Sequence, residues 1–140
     1  MTVYQLRNKI KKLKEQIVDC EEEIINCRRK RELREEVLFR VQSKRDTFEG
    51  FFCEQKSRIQ KAGESIPNMS FIARFKEEFV GILEGKEYQK AIDGYGQAEW
   101  SLRTAMESLR CRENDLRYEI HIKEAELESL QRELRYMEQE

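Results

Sequence analysis

The chain has 140 residues with one proline, 39% charged residues, and 27 Lys+Arg against 28 Asp+Glu for a net charge of -1. That length fits one domain, and the charge balance gives no general electrostatic pull toward nucleic acid or an anionic membrane. The regular spacing of the apolar residues argues for helix over disorder, despite the low mean hydropathy.

The opening segment "MTVYQLRNKIKKLKEQ" lacks an apolar core of signal-peptide length. No apolar run approaches the roughly 20 residues that span a bilayer. A cytoplasmic product with no membrane insertion is expected, and export would need another route.

Val3, Leu6, Ile10, Leu13, Ile17, Cys20, Ile24 and Cys27 follow one another at alternating intervals of three and four, which is a heptad seam. Lys, Arg and Glu crowd the flanking positions, as a solvated helix face requires. The next seam positions fall on Arg31 and Arg34. A phase shift is therefore predicted, with Leu33, Val37, Val41, Phe48, Phe52 and Ile59 resuming the apolar spacing after a stutter. The first helix is placed at about residues 3–61.

"KAGESIPNMS" supplies the first stop. Gly63 suits a helix-terminating left-handed conformation and Pro67 disfavours helix at Ile66, so a turn is placed at about 62–70. Ser70 then caps a short helix, about 71–83, with Phe71, Phe75, Phe79 and Ile82 on one face and Gly85 as its terminator. A long helix, about 86–138, carries Ile92, Tyr95, Leu102, Met106, Leu109, Leu116, Ile120, Leu127, Leu130, Leu134 and Met137, with polar entries at Glu99, Glu113 and Lys123.

Antiparallel pairing of the two seams gives an all-α fold: a long helical hairpin, or coiled coil, with a short helix near the turn. At 1.5 Å per residue, arms of about 55 residues are on the order of 80 Å long. Two helices bury only a narrow stripe each, so a homodimer or a heteromeric helical partner is expected. Its interface is placed on Phe48, Phe51, Phe52, Phe71, Phe75 and Phe79, where apolar surface exceeds what two helices need. Gly81 is read as a close-packing residue. Gly94 and Gly96, which interrupt no helical phase, are read as close packing against a bulky side chain, as a kink or break, or as a binding feature.

Little in the sequence points to chemistry. Cys20, Cys27, Cys53 and Cys111 form no CxxC pair and have no histidine cluster beside them. They are read as reduced packing residues, with no metal site. His121 has no catalytic companions. The basic run in "CRRKRELREE" has Glu32, Glu35 and Glu36 as intrahelical partners, which argues against a nucleic-acid patch. No phosphate-binding glycine motif is present, and neither an enzyme nor a cofactor is expected.

"FKEEFVGILEGKEYQKAIDGYGQAEWSL", within residues 48–102, resembles the small helical-hairpin proteins of Gram-positive type VII secretion. The closer likeness is to their longer accessory relatives, found with LXG-type toxins. In that resemblance Gly85 matches the turn glycine, and Leu83 stands where the family has tryptophan. Tyr136 and Glu140 match the family's secretion signal, an aromatic residue followed four positions later by an acid. Tyr95 and Glu99 form a second formal match.

The resemblance implies a non-enzymatic targeting factor or chaperone. It would bind the helical N-terminal domain of a toxin, or another small hairpin protein, and support export or be exported with it. The long two-helix stalk proteins of export ATPases are a second group of similar layout, and they imply a structural scaffold instead.

Overall fold

The computed structural model describes residues 1–65, 70–83 and 85–139. The chain is all-α, with α1 at Val3–Ser65, α2 at Ser70–Leu83 and α3 at Lys86–Glu138. It divides into two compact units. A terminal unit comprises Met1–Arg34 and Ala105–Glu140, and a middle unit comprises Glu35–Thr104. In each of them α1 and α3 pack antiparallel, so the fold is a helical hairpin. Among the described residues no helix is long and apolar enough to cross a membrane.

The first turn of α1 is closed by a capping box. Gln5 N–H donates to the Thr2 hydroxyl oxygen at 3.2 Å, and Thr2 N–H donates to Gln5 Oε1 at 3.0 Å. Two backbone donors that no helix can satisfy are thereby paired where the seam begins.

In the terminal unit the seam is a true core. Leu6, Ile10 and Leu13 bury against Leu130, with Leu127, Leu134 and Met137 packed beside them. Cys20, Ile24 and Cys27 bury against Leu116, flanked by Leu109 and Ile120. Cys20 and Cys27 are free and buried, and serve there as small apolar residues. Burial and nearby Glu119 push the Cys20 thiol pKa up, away from the reactive thiolate. Cys53 and Cys111 are free but exposed, which corrects the packing reading for those two.

With seam positions labelled a and d, the flanking g residues meet g residues of α3 across an antiparallel pair, and e residues meet e. Lys9 and Glu126, both at g, lie 3.9 Å apart, and Arg112 Nη2 lies 2.8 Å from Glu23 Oε1, again g to g. Arg7 and Glu138 pair on the e side.

The predicted stutter does not occur. Leu33 and Val37 are 61% and 44% exposed, while Arg31 and Arg34 are half-buried and Leu38 is buried, so α1 keeps its original phase. Val41, Phe48, Phe52 and Ile59 belong to that same unshifted series. The physical reason is Glu113, a polar seam residue of α3 that is only 3% exposed. Arg28 Nε donates to its Oε1 at 2.8 Å, Arg117 Nη2 donates to the same oxygen at 2.6 Å, and Arg31 Nη1 lies 3.0 Å from Oε2.

Oε2 has no well-aligned hydrogen bond, so the Arg31 contact is Coulombic rather than directional. The hydrogen bond from Arg28, with the positive charge of Arg31 and Arg117, holds the Glu113 carboxyl below the usual carboxylate range against the opposing effect of burial. An arginine occupies a seam position without breaking the heptad because the facing seam supplies a buried carboxylate. Arg28 and Arg31 thus pair across the hairpin with Glu113, and not with the intrahelical acids expected for them.

The helix ends also depart from expectation. α1 continues through Gly63 to Ser65, so Gly63 is not the terminator. Proline restricts chiefly the residue before it, which leaves Gly63 free to remain helical. Pro67 and the rest of 66–69 lie outside the described residues.

Gly85 does separate α2 from α3, with no positive φ. Its N–H donates to the Ile82 carbonyl at 3.3 Å and its carbonyl accepts from Gln89 N–H at 3.1 Å. A Cβ at this position would lie 2.9 Å from the Gly81 carbonyl oxygen, so close backbone approach is what requires glycine.

At Gly81, Gly94 and Gly96 a Cβ would meet nothing within 4 Å. α3 is helical through both Gly94 and Gly96. Close packing at all three sites, and a helix break at the latter two, are both overturned.

Candidate partner-binding surface

In the middle unit the seam becomes aromatic. Phe48 and Phe52, on successive turns of α1, have ring centroids 4.6 Å apart. Tyr88 stacks on Phe48 at 5.7 Å and lies 4.9 Å from Phe52, and Tyr95 lies 5.8 Å from Phe48. These rings are all half-buried. Aromatic pairs at such separations stabilise one another beyond their area burial. Phe48 and Phe52 therefore already have neighbours inside the hairpin.

The same seam holds one ionic step. Arg45 contacts Glu99 of α3 at 3.3 Å and Glu49 of its own helix at 3.3 Å. The hydrogen bond from Arg45 to Glu99, then that to Glu49, raises the guanidinium pKa further. Tyr95 and Glu99, the second formal match to the signal pattern, are thus both engaged within the middle unit.

The other sequence-nominated residues separate. Phe51 meets Phe52 edge-on at 5.8 Å yet remains 54% exposed, and Phe75 is 52% exposed while contacting half-buried Phe79 at 5.7 Å. The Phe71 side chain lies outside the described residues. Tyr136 is exposed, and Glu140 is outside the described residues.

Sequence reasoning missed Trp100 and Phe39, both well exposed. Each sits one residue after a seam position, Glu99 and Leu38. That offset was the available signal: a large apolar side chain out of phase with the seam. Tyr88 was missed for a different reason, because it opens the α3 seam one step before Ile92.

Two open grooves flank this seam. One, of about 450 Å³, is lined by Ser43, Lys44, Thr47, Phe48, Phe51 and Tyr95. The other, of about 430 Å³, lies on the opposite side against Arg45, Ile92, Asp93, Gly96, Gln97 and Trp100. Both are shallow and accept a laid-on side chain more readily than an enclosed small molecule. Among the described residues no cluster of three metal-ligating side chains occurs.

The geometry therefore defines an open, partly aromatic surface on an all-α hairpin. Comparison with protein-family models, curated proteins and solved structures yields no match.

Proposed function

We propose that this chain is a non-enzymatic helical adaptor, a targeting chaperone that binds the helical N-terminal domain of a type VII secreted toxin and supports its export. The observation that carries the reading is the exposure of two rings in the middle unit, Phe51 at the edge of the aromatic seam and Phe75 on α2. Exposed rings of this kind mark contact sites for another protein, and an amphipathic helix is the natural complement of a helical surface. The toxin-specific part of the reading rests on the resemblance of residues 48–102 to the accessory hairpin proteins of that system. Tyr136, exposed near the end of α3, is available as the aromatic half of a recognition signal.

The test is co-expression with the helical N-terminal domain of a toxin encoded beside this chain. A stable complex is expected in size-exclusion chromatography, lost on Phe51→Ser with Phe75→Ser while the helical circular dichroism signal persists. Absence of any complex, together with neighbouring genes for an export ATPase, would favour the scaffold role instead.

A further inference from the structure

The two sides of the middle unit's seam are chemically unlike. On the g side, α1 presents Val37, Arg40, Lys44, Thr47 and Phe51, all exposed, and α3 presents Ala91, Gly94, Ala98 and Ser101. The groove of about 450 Å³ lies on this side. Tyr95 is the groove's α3 lining; beside it the outward positions Ala91, Gly94, Ala98 and Ser101 carry no side chain larger than serine, and a Cβ at Gly94 would meet nothing within 4 Å. The groove's α1 wall offers the apolar rings of Phe48 and Phe51, and Val37 lies farther along the same side of the helix. Lys44 is the charged residue of its lining and Arg40 lies one turn before it on the same side of α1, and neither has a carboxylate partner among the described residues.

On the opposite side both signs are present, Asp93 with Arg45, and Arg45 is already held by Glu49 and Glu99. A low wall of small residues admits a helix backbone at close range. Unpaired cations beside an apolar floor select a partner of opposite charge.

We propose that this g-side groove takes one amphipathic helix of another protein, whose apolar stripe is flanked by acidic residues. Leucine-sized side chains of that helix enter beside Phe51 and over Gly94 and Ala98, and its acids meet Arg40 and Lys44. The inference rests on the adaptor reading and specifies the face and the chemistry of the partner.

The experiment uses the full chain and two fluorescent three-heptad synthetic helices with the same leucine stripe, flanked by glutamate in one and by lysine in the other. Binding is read by fluorescence anisotropy at physiological ionic strength. The acidic helix is expected to bind at least about tenfold more tightly. Gly94→Leu, which sets a bulky side chain on α3 beside Tyr95 of the groove, is expected to weaken it by a similar factor, and Arg40→Glu with Lys44→Glu to reverse the preference. Gly96→Leu, on the other side of the seam, is expected to leave binding unchanged.

Equal affinity for both helices, no binding of either, or a loss caused by Gly96→Leu and not by Gly94→Leu would each overturn the proposal. So would self-association of the wild-type chain in sedimentation velocity that Gly94→Leu abolishes, because the occupant would then be a second copy. A toxin-domain complex that survives Gly94→Leu would remove this groove and leave the adaptor role standing.

Discussion

The terminal and middle units are built on the same heptad spacing, yet their flanks differ in chemistry. In the terminal unit g residues of the two helices pair as ions, Lys9 with Glu126 and Glu23 with Arg112. The equivalent positions of the middle unit hold Val37, Lys44 and Phe51 on α1 against Ala91 and Ala98 on α3. The exposed aromatics follow the same division. They are Tyr4, Tyr118 and Tyr136 in the terminal unit, and Phe39, Phe51, Phe75 and Trp100 in the middle one. Tyrosine keeps a polar tip in water, phenylalanine does not. The seam makes the hairpin in both units, and the flanks set whether its sides are ionic or apolar.

The largest effect that would sharpen this contrast is on stability. Leu116 is 1% exposed in the terminal core, so Leu116→Ala is expected to cost about 2–4 kcal/mol. Phe51→Ala in the middle unit should stay within about 0.5 kcal/mol. Chemical denaturation of the two variants checks the difference, and similar losses for both would break the division.

The ionic seam gives the next effect. Glu113→Gln removes the charge that three guanidiniums face. Because Arg28 and Arg117 are about half exposed and can turn to water, the expected cost is only about 1–2 kcal/mol.

The pH dependence has a definite sign. Folding depresses the Glu113 pKa, so its contribution is fully present above the unfolded value of about 4.3 and disappears as pH falls through the lower folded value. Melting temperatures of wild type and Glu113→Gln should therefore differ most near neutrality and converge below about pH 4. A gap that widens on acidification would contradict the assigned partners.

How far this was legible in the sequence depended on whether a residue's partner lay on its own helix. The apolar seams of α1 and α3 and the short α2 could be read from spacing, because burial repeats with the heptad. Arg31 and Arg34 were misread as a phase break because Glu113, the carboxylate facing Arg31, is 82 residues away along the chain. The nominated phenylalanines could not be sorted in advance either. Phe48 and Phe51 differ by less than one turn, yet one faces Tyr88 and Tyr95 while the other faces outward, and only the position of the opposite helix decides which.

A smaller effect separates two kinds of glycine within the middle unit. Gly85→Ala places a methyl carbon 2.9 Å from the Gly81 carbonyl oxygen, a backbone atom that cannot rotate away. A loss on the order of 1 kcal/mol is expected, with the link between α2 and α3 displaced.

Gly94→Ala and Gly96→Ala have the opposite sign. Both positions are helical, neither has positive φ, and a Cβ at each meets open space. Alanine therefore removes backbone freedom from the unfolded chain with no clash in the folded one, and each change should stabilise by about 0.5–1 kcal/mol. Thermal melting of the single and double variants measures this, with near-additive gains expected only if the two sites act independently. Stabilisation combined with full partner binding would mean that these glycines tolerate a methyl group. Stabilisation with weakened binding would show that open space over α3 is retained for a partner's side chains, at a cost in helix stability that the terminal unit, which has no glycine, does not bear.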